Sequence, residues 1–222
     1  MNIFHHLATL LFPPKCVLCQ KILNKNETDL CHGCRTEISD FQKPKRSIPF
    51  LESWTALWYY NGGVRKSLLR YKFGNRRSYA EVYGRLLAMK LLRDYPEGFE
   101  VLTWTPISRL RRLRRGYDQV ELLAQAVGGE LGMDVTPTLN KVRNNPPQSG
   151  IHGYAQRKAN VLGVYRPVEP ERFRGKRVLL LDDIITSGAT ASEAARVLLT
   201  AGAKEVICAA VAAASHEQKN SQ

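Results

Sequence analysis

The hydrophobic pattern divides the chain into two unlike parts. From residue 53 onward, short apolar runs alternate with longer segments whose apolar residues recur at three and four positions. "SWTALWYY" (53–60) has strand character, and residues 63–95 predict one or two helices. "FEVLTWTP" (99–106) reads as a strand ending at Pro106, and 117–132 as a helix stopped by glycine. "RVLLLDD" (177–183) is a continuous apolar run, the mark of a strand buried on both faces. A patterned helix over 191–203 and a last strand over 204–214 follow it. Strands alternating with helices imply a mostly parallel α/β sheet, and such sheets bind ligands at the carboxyl ends of their strands. Before residue 53 the regularity disappears, and the basic, proline-bearing 41–50 reads as a linker.

That ligand edge is where "LLLDDIITSGAT" (179–190) stands out. Asp182 and Asp183 are adjacent carboxylates at the end of a buried strand, where they repel and lose solvation unless a ligand compensates. Ribose hydroxyls suit them, because ionised carboxylates accept hydrogen bonds. Thr186, Ser187, Gly188, Ala189 and Thr190 then open a helix, whose backbone amides and hydroxyls make a phosphate cradle. Carboxylates for a sugar and amides for its phosphate describe a ribose 5-phosphate site. Gly-Lys-Ser/Thr is missing from the loop and so is G-x-G-x-x-G, which excludes a Walker loop and a dinucleotide fingerprint.

The irregular part is organised by cysteine. Cys16 and Cys19 form one Cys-x-x-Cys pair and Cys31 and Cys34 another, with eleven residues between them. Two such knuckles suit a structural Zn2+ with four thiolates and no open position. So few apolar residues accompany them that the metal should supply most of this segment's folding energy. His5, His6 and His32 are read as surface residues, and Cys208 as a small hydrophobe. "MNIFHHLATLLFPPKC" is too short, and has the wrong flanks, for a signal peptide. No stretch reaches the roughly 18 apolar residues of a membrane span, so a cytoplasmic protein is expected.

Charge adds a partner class. Thirty-three Lys and Arg against twenty Asp and Glu leave +13, which favours anionic partners. "RLRRLRR" (109–115) holds five arginines in seven residues; Ser108 and Arg109 at its start are placed to meet a pyrophosphate. "RKSLLRYKFGNRR" (65–77) has six basic residues, no acidic one, and the aromatics Tyr71 and Phe73. Cations interleaved with aromatics suit single-stranded nucleic acid. The nucleic-acid candidates are Arg70, Lys72, Arg76 and Arg77 here, and Arg111, Arg112, Arg114 and Arg115 in the second run.

"VLLLDDIITSGAT" resembles the phosphoribosyl pyrophosphate (PRPP) signature of type I phosphoribosyltransferases. Together with "LFPPKCVLC", "RRLRRGYDQVELLA" (111–124), "NPPQSG" (145–150) and "RKANVLGVY" (157–165), the chain is similar to the ComF family of competence proteins. The resemblance implies an arm, zinc module and linker over 1–45, a phosphoribosyltransferase-like α/β domain over 46–216, and a polar tail over 217–222. By it, Asp182 and Asp183 hold the ribose hydroxyls of PRPP, 186–190 bind its 5-phosphate, and Mg2+ accompanies the ligand. It also implies single-stranded DNA handling during DNA uptake and a competence DNA translocase or helicase as partner. An active phosphoribosyltransferase and an inert interaction adaptor are the competing readings. Segment 144–153 is read as a mobile loop over the site.

Overall fold

The computed structural model describes residues 13–42, 46–145 and 154–215. Four parallel strands form the central sheet: β1 (Ser53–Tyr59), β2 (Val101–Trp104), β5 (Arg177–Ile185) and β6 (Glu205–Ala213). Their spatial order is β1-β6-β5-β2. A small antiparallel pair, β3 (Leu139–Lys141) and β4 (Tyr165–Pro167), stands apart from it.

The apolar run of β5 is explained by its place between two layers. Leu179 and Leu181 enter one hydrophobic cluster, Val178 and Leu180 the other, the two-residue alternation of a pleated strand. One layer holds α2 (Gly62–Phe73), α3 (Tyr79–Asp94) and α5 (Gln119–Leu131). The other holds α7 (Ala189–Thr200), with α6 (Tyr154–Val161) against it. Gly84 lets α3 approach α5, because a Cβ there would collide with Ala126. Cys208 packs as a small hydrophobe, fully buried on β6.

One open expectation is settled and two change. The segment read as one or two helices is two, separated at Gly74, whose N–H closes the last turn onto Arg70. β5 continues two residues past Asp183, so both carboxylates sit inside the strand. The linker is no passive spacer: Phe41 and Ile48 are core residues, and Asp40 bridges to Trp58 of β1.

The four-cysteine segment, with its short helix α1 (His32–Glu37), is not a separate bead. Cys16, Val17, Leu18, Leu23 and Leu30 share one cluster with Leu57, Trp58, Val64 and Leu68. Asp29 takes two hydrogen bonds from Arg85 of α3, at 2.5 and 3.1 Å. Burial against the α/β part therefore adds to what a metal contributes. Among the described residues no helix is long and apolar enough to cross a membrane.

Candidate functional site

The first thiol pair sits in a tight turn, and the second opens α1, with Cys31 at its N-cap. The Cys16 N–H donates to Lys21 O at 2.8 Å, and the Gln20 N–H returns to Cys16 O at 2.9 Å. Glu27 organises the connecting loop by accepting from the Asn24 and His32 N–H groups, which holds its carboxyl below the usual range. The four Sγ atoms lie within 4.8 Å of one another, and Cys19 and Cys31 are 3.5 Å apart. Tetrahedral zinc with Zn–S near 2.3 Å places its sulfurs about 3.8 Å apart, so the residues fit the ion. Burial and the neighbouring cysteines push Cys34 well up. Burial also works against the Cys16 thiolate, but the N–H groups of Cys19, Cys31 and Leu18 outweigh it and bring the thiol down to about 7. Crowded thiols with amides aimed at sulfur suit a cation. His32 is exposed, as expected, while His5 and His6 lie outside the described residues.

At the carboxyl edge of β5, Asp182 and Asp183 are both buried. Asp182 accepts the Asp183 N–H at 2.8 Å. Burial, then the charge of Asp183, pushes its carboxyl up to about 7. Asp183 is compensated from two helices: Lys72 of α2 pairs with it at 2.9 Å, and Gln119 of α5 donates to its other oxygen at 2.8 Å. Asp118, beside Gln119, caps α5 by accepting the Val120 and Glu121 N–H groups. Its second oxygen accepts the Ile107 N–H at 2.9 Å, pinning the loop after β2 next to the carboxylates.

The next loop turns into α7 through Gly188, at φ +81°. No other residue suits that position, since a Cβ would also lie 2.6 Å from Ile48. Ala189 donates to Ser187 Oγ at 3.4 Å, and Ser192 to Gly188 O at 2.8 Å. Behind the loop, Arg46 donates to the Thr186 and Ser187 carbonyls at 2.6 and 3.2 Å and lies over the Trp54 ring. The former linker thus braces the loop and adds positive charge to it. A cavity of 890 Å³, bounded partly by Ser53, Trp54, Tyr95 and Arg177 at the amino ends of β1 and β5, reaches Arg46 and Ile48 behind this loop.

Ser108, after β2, is buried; it caps α4 (Arg109–Arg115) and donates to Asn144 at 2.7 Å. Arg109 is exposed, while half-buried Arg111 turns inward and donates to Asn145 O at 2.5 Å. Lys141 of β3 lies over the Tyr165 ring at 5.5 Å; burial, then Arg111, lowers it to about 8. Segment 144–153, the expected loop over the site, lies outside the described residues from 146 to 153.

The two basic runs sort differently from expectation. Arg70 and Lys72, candidates for nucleic acid, face inward. Arg70 donates to the Val17 and Leu18 carbonyls, and Lys72 reaches Asp183. Arg76, Arg112 and Arg114 are exposed, Arg112 beside Glu121 at 3.2 Å. Arg77 lies over the Tyr117 ring, and Arg115 over Phe73, which is 68% exposed. Leu113 is 81% exposed, so α4 presents an apolar tip among its arginines. Gln119, Asp118, Arg46 and Lys141 escaped the sequence reading of the site. "GYDQ" held the only signal, an aspartate and glutamine at the start of an otherwise apolar helix.

Comparison with known proteins follows the same division. Residues 7–45 match the double zinc ribbon domain, and residues 119–222 the phosphoribosyl transferase domain. Competence protein F of Haemophilus influenzae is 25% identical, over 86% of this chain and 93% of its own length. Competence protein ComFC of Streptococcus pneumoniae is 31% identical, over 69% of this chain and 65% of its own. DNA utilization protein YhgH of Escherichia coli is 25% identical, over 86% of each. A four-cysteine centre fit for structural zinc and a parallel phosphoribosyltransferase-type sheet, in this order, make the chain similar along most of its length to competence proteins of the ComF type.

Proposed function

We propose that the chain binds PRPP at the carboxyl edge of its sheet and handles single-stranded DNA in the cytoplasm during DNA uptake. The observation that carries the ligand is the buried Asp182–Asp183 pair leading directly into a loop of amides and hydroxyls at the start of α7. The carboxylates accept the ribose 2- and 3-hydroxyls. The loop 186–190 receives the 5-phosphate, with Arg46 behind it. Ser108 and half-buried Arg111 face the pyrophosphate, whose charge Mg2+ partly neutralises when it accompanies the ligand. Arg76, Arg77, Arg112, Arg114 and Arg115 line the nucleic-acid surface, on which exposed Phe73 offers a ring for base stacking. The relatives' names, competence and DNA utilization, support this setting. A competence DNA translocase or helicase is the protein partner this reading expects.

The test is calorimetric titration of zinc-loaded protein with PRPP, with and without Mg2+, repeated on Asp182→Asn/Asp183→Asn. Magnesium-dependent binding lost in the variant supports the reading; silence in the wild type overturns it.

A second reading, active phosphoribosyl transfer, is favoured by the convergence of Arg111 and Lys141 near Asp182. Preorganised cations there would stabilise pyrophosphate as it leaves the anomeric carbon and a nitrogen nucleophile attacks. Pyrophosphate release with some acceptor, abolished by Asp183→Asn, supports it; none across nucleobases and amines counts against it.

A further inference from the structure

We infer that Lys72 is a positioning residue for the ribose carboxylates and is itself held in place by the zinc ribbon through helix α2. The inference rests on the PRPP reading for its ligand but on α2 alone for its geometry. Three consecutive residues of that helix face three parts of the molecule. Arg70 donates to the Leu18 and Val17 carbonyls at 2.5 and 3.3 Å, both lying between the thiols Cys16 and Cys19. Tyr71 donates to Gln119 O at 2.5 Å. Lys72 pairs with Asp183 at 2.9 Å, while Gln119 takes the other oxygen. One turn earlier, buried Ser67 also donates to Val17 O.

The knuckle carbonyls therefore have side-chain partners on the same helix that carries the counter-cation of Asp183. A helix moves as a rigid element, so a knuckle held taut by its metal fixes where Lys72 can reach. Arg85 is a natural control: it ties the same ribbon, through Asp29, to α3, which carries no partner of either carboxylate.

The charge around Asp182 makes a second readout. Asp183 from its own strand, Lys72 from α2 and Lys141 from β3 act on its carboxyl. Tyr165 from β4 and Cys208 from β6 face it as groups that stay neutral, with Arg111 and Asp118 beyond them. Taking Lys72 away leaves the two carboxylates with less opposing charge, so a proton is retained to higher pH.

The experiment uses the full, zinc-loaded chain as wild type, Arg70→Met, Arg85→Met, Lys72→Met and Lys72→Arg. Amide hydrogen exchange over 181–190 is read without ligand, and PRPP affinity is read across pH. With zinc still bound, Arg70→Met is expected to speed exchange there by about fivefold or more and to weaken PRPP, and Arg85→Met to do neither. Lys72→Met should move the pH midpoint of PRPP binding upward, and Lys72→Arg should restore it. Equal effects of Arg70→Met and Arg85→Met, or an unmoved midpoint in Lys72→Met, overturn the inference. If the wild type binds no PRPP, the ligand assignment falls, and the exchange rates of Arg70→Met and Arg85→Met still decide the relay.

Discussion

The molecule gathers like charge in two places, four thiols in the ribbon and two carboxylates at the end of β5, and it settles them in opposite ways. Around the thiols, paired knuckles fill every position of a tetrahedral ion. Around the carboxylates, Lys72 and Gln119 hold Asp183, and Asp182 keeps a carboxyl raised to about 7 by burial and by its neighbour. One cluster is compensated permanently and serves structure. The other is compensated in part, which leaves it free to respond to a ligand. On the proposed reading, exchangeable compensation, more than charge density, is what separates a ligand site from a structural one.

The contrast is tested most severely at the ribbon. Cys16→Ser should abolish stoichiometric zinc and cost about 3 kcal/mol or more of stability, read by metal analysis and thermal unfolding. Because Cys16, Val17 and Leu18 share a cluster with Trp58 and Leu68, the whole cooperative transition should fall. A ribbon that melts alone, with the α/β transition unmoved, would break the claim that they share a core.

At the carboxylates the opposite outcome is expected. Asp182→Asn/Asp183→Asn should keep zinc and the thermal transition while weakening PRPP about 100-fold, the loss of two charge-assisted hydrogen bonds. Relief of the like-charge pair is set against loss of the Lys72 ion pair, so stability should change by about 1 kcal/mol or less.

A smaller effect follows from pH. Asp182 is neutral below about 7 in the folded protein and ionised above it. Since the ionised form is the better acceptor for ribose hydroxyls, PRPP affinity should rise about tenfold from pH 6 to 8. Calorimetry in matched buffers checks it, and a flat profile would mean that Asp183 alone carries the sugar. The smallest effect belongs to the surface: Arg114→Ala should weaken oligonucleotide binding a few-fold and lower the slope of its salt dependence by about 1, with PRPP affinity unchanged.

How much of this was legible in the chain depends on the range of the interaction. The knuckles, the carboxylate pair and the glycine that opens α7 are local patterns; the thiols gather as their spacing implies, while the carboxylates sit two residues inside a longer strand than the pattern implied. β5 was visible because burial on both faces leaves a continuous apolar run. The roles of Lys72 and Arg70 were not visible. A lysine in a basic run reads as solvated surface, and only the packing of α2 turns it toward a residue 111 positions away. Arg46 is a similar case, a linker residue brought against the Thr186 and Ser187 carbonyls by the burial of Ile48. Gln119 shows the middle ground: its helix was clear, while its partner was not.

The sequence by itself determined which groups are the candidates for chemistry and which local elements present them, because metal spacing, strand burial and loop conformation are matters of a few neighbouring residues. Only the tertiary structure decided how those groups are compensated and joined. Hydrogen bonds and ion pairs act over about 3 Å and ignore chain distance, so the path from the knuckle through α2 to Asp183 exists only once the ribbon, helix and strand are packed together.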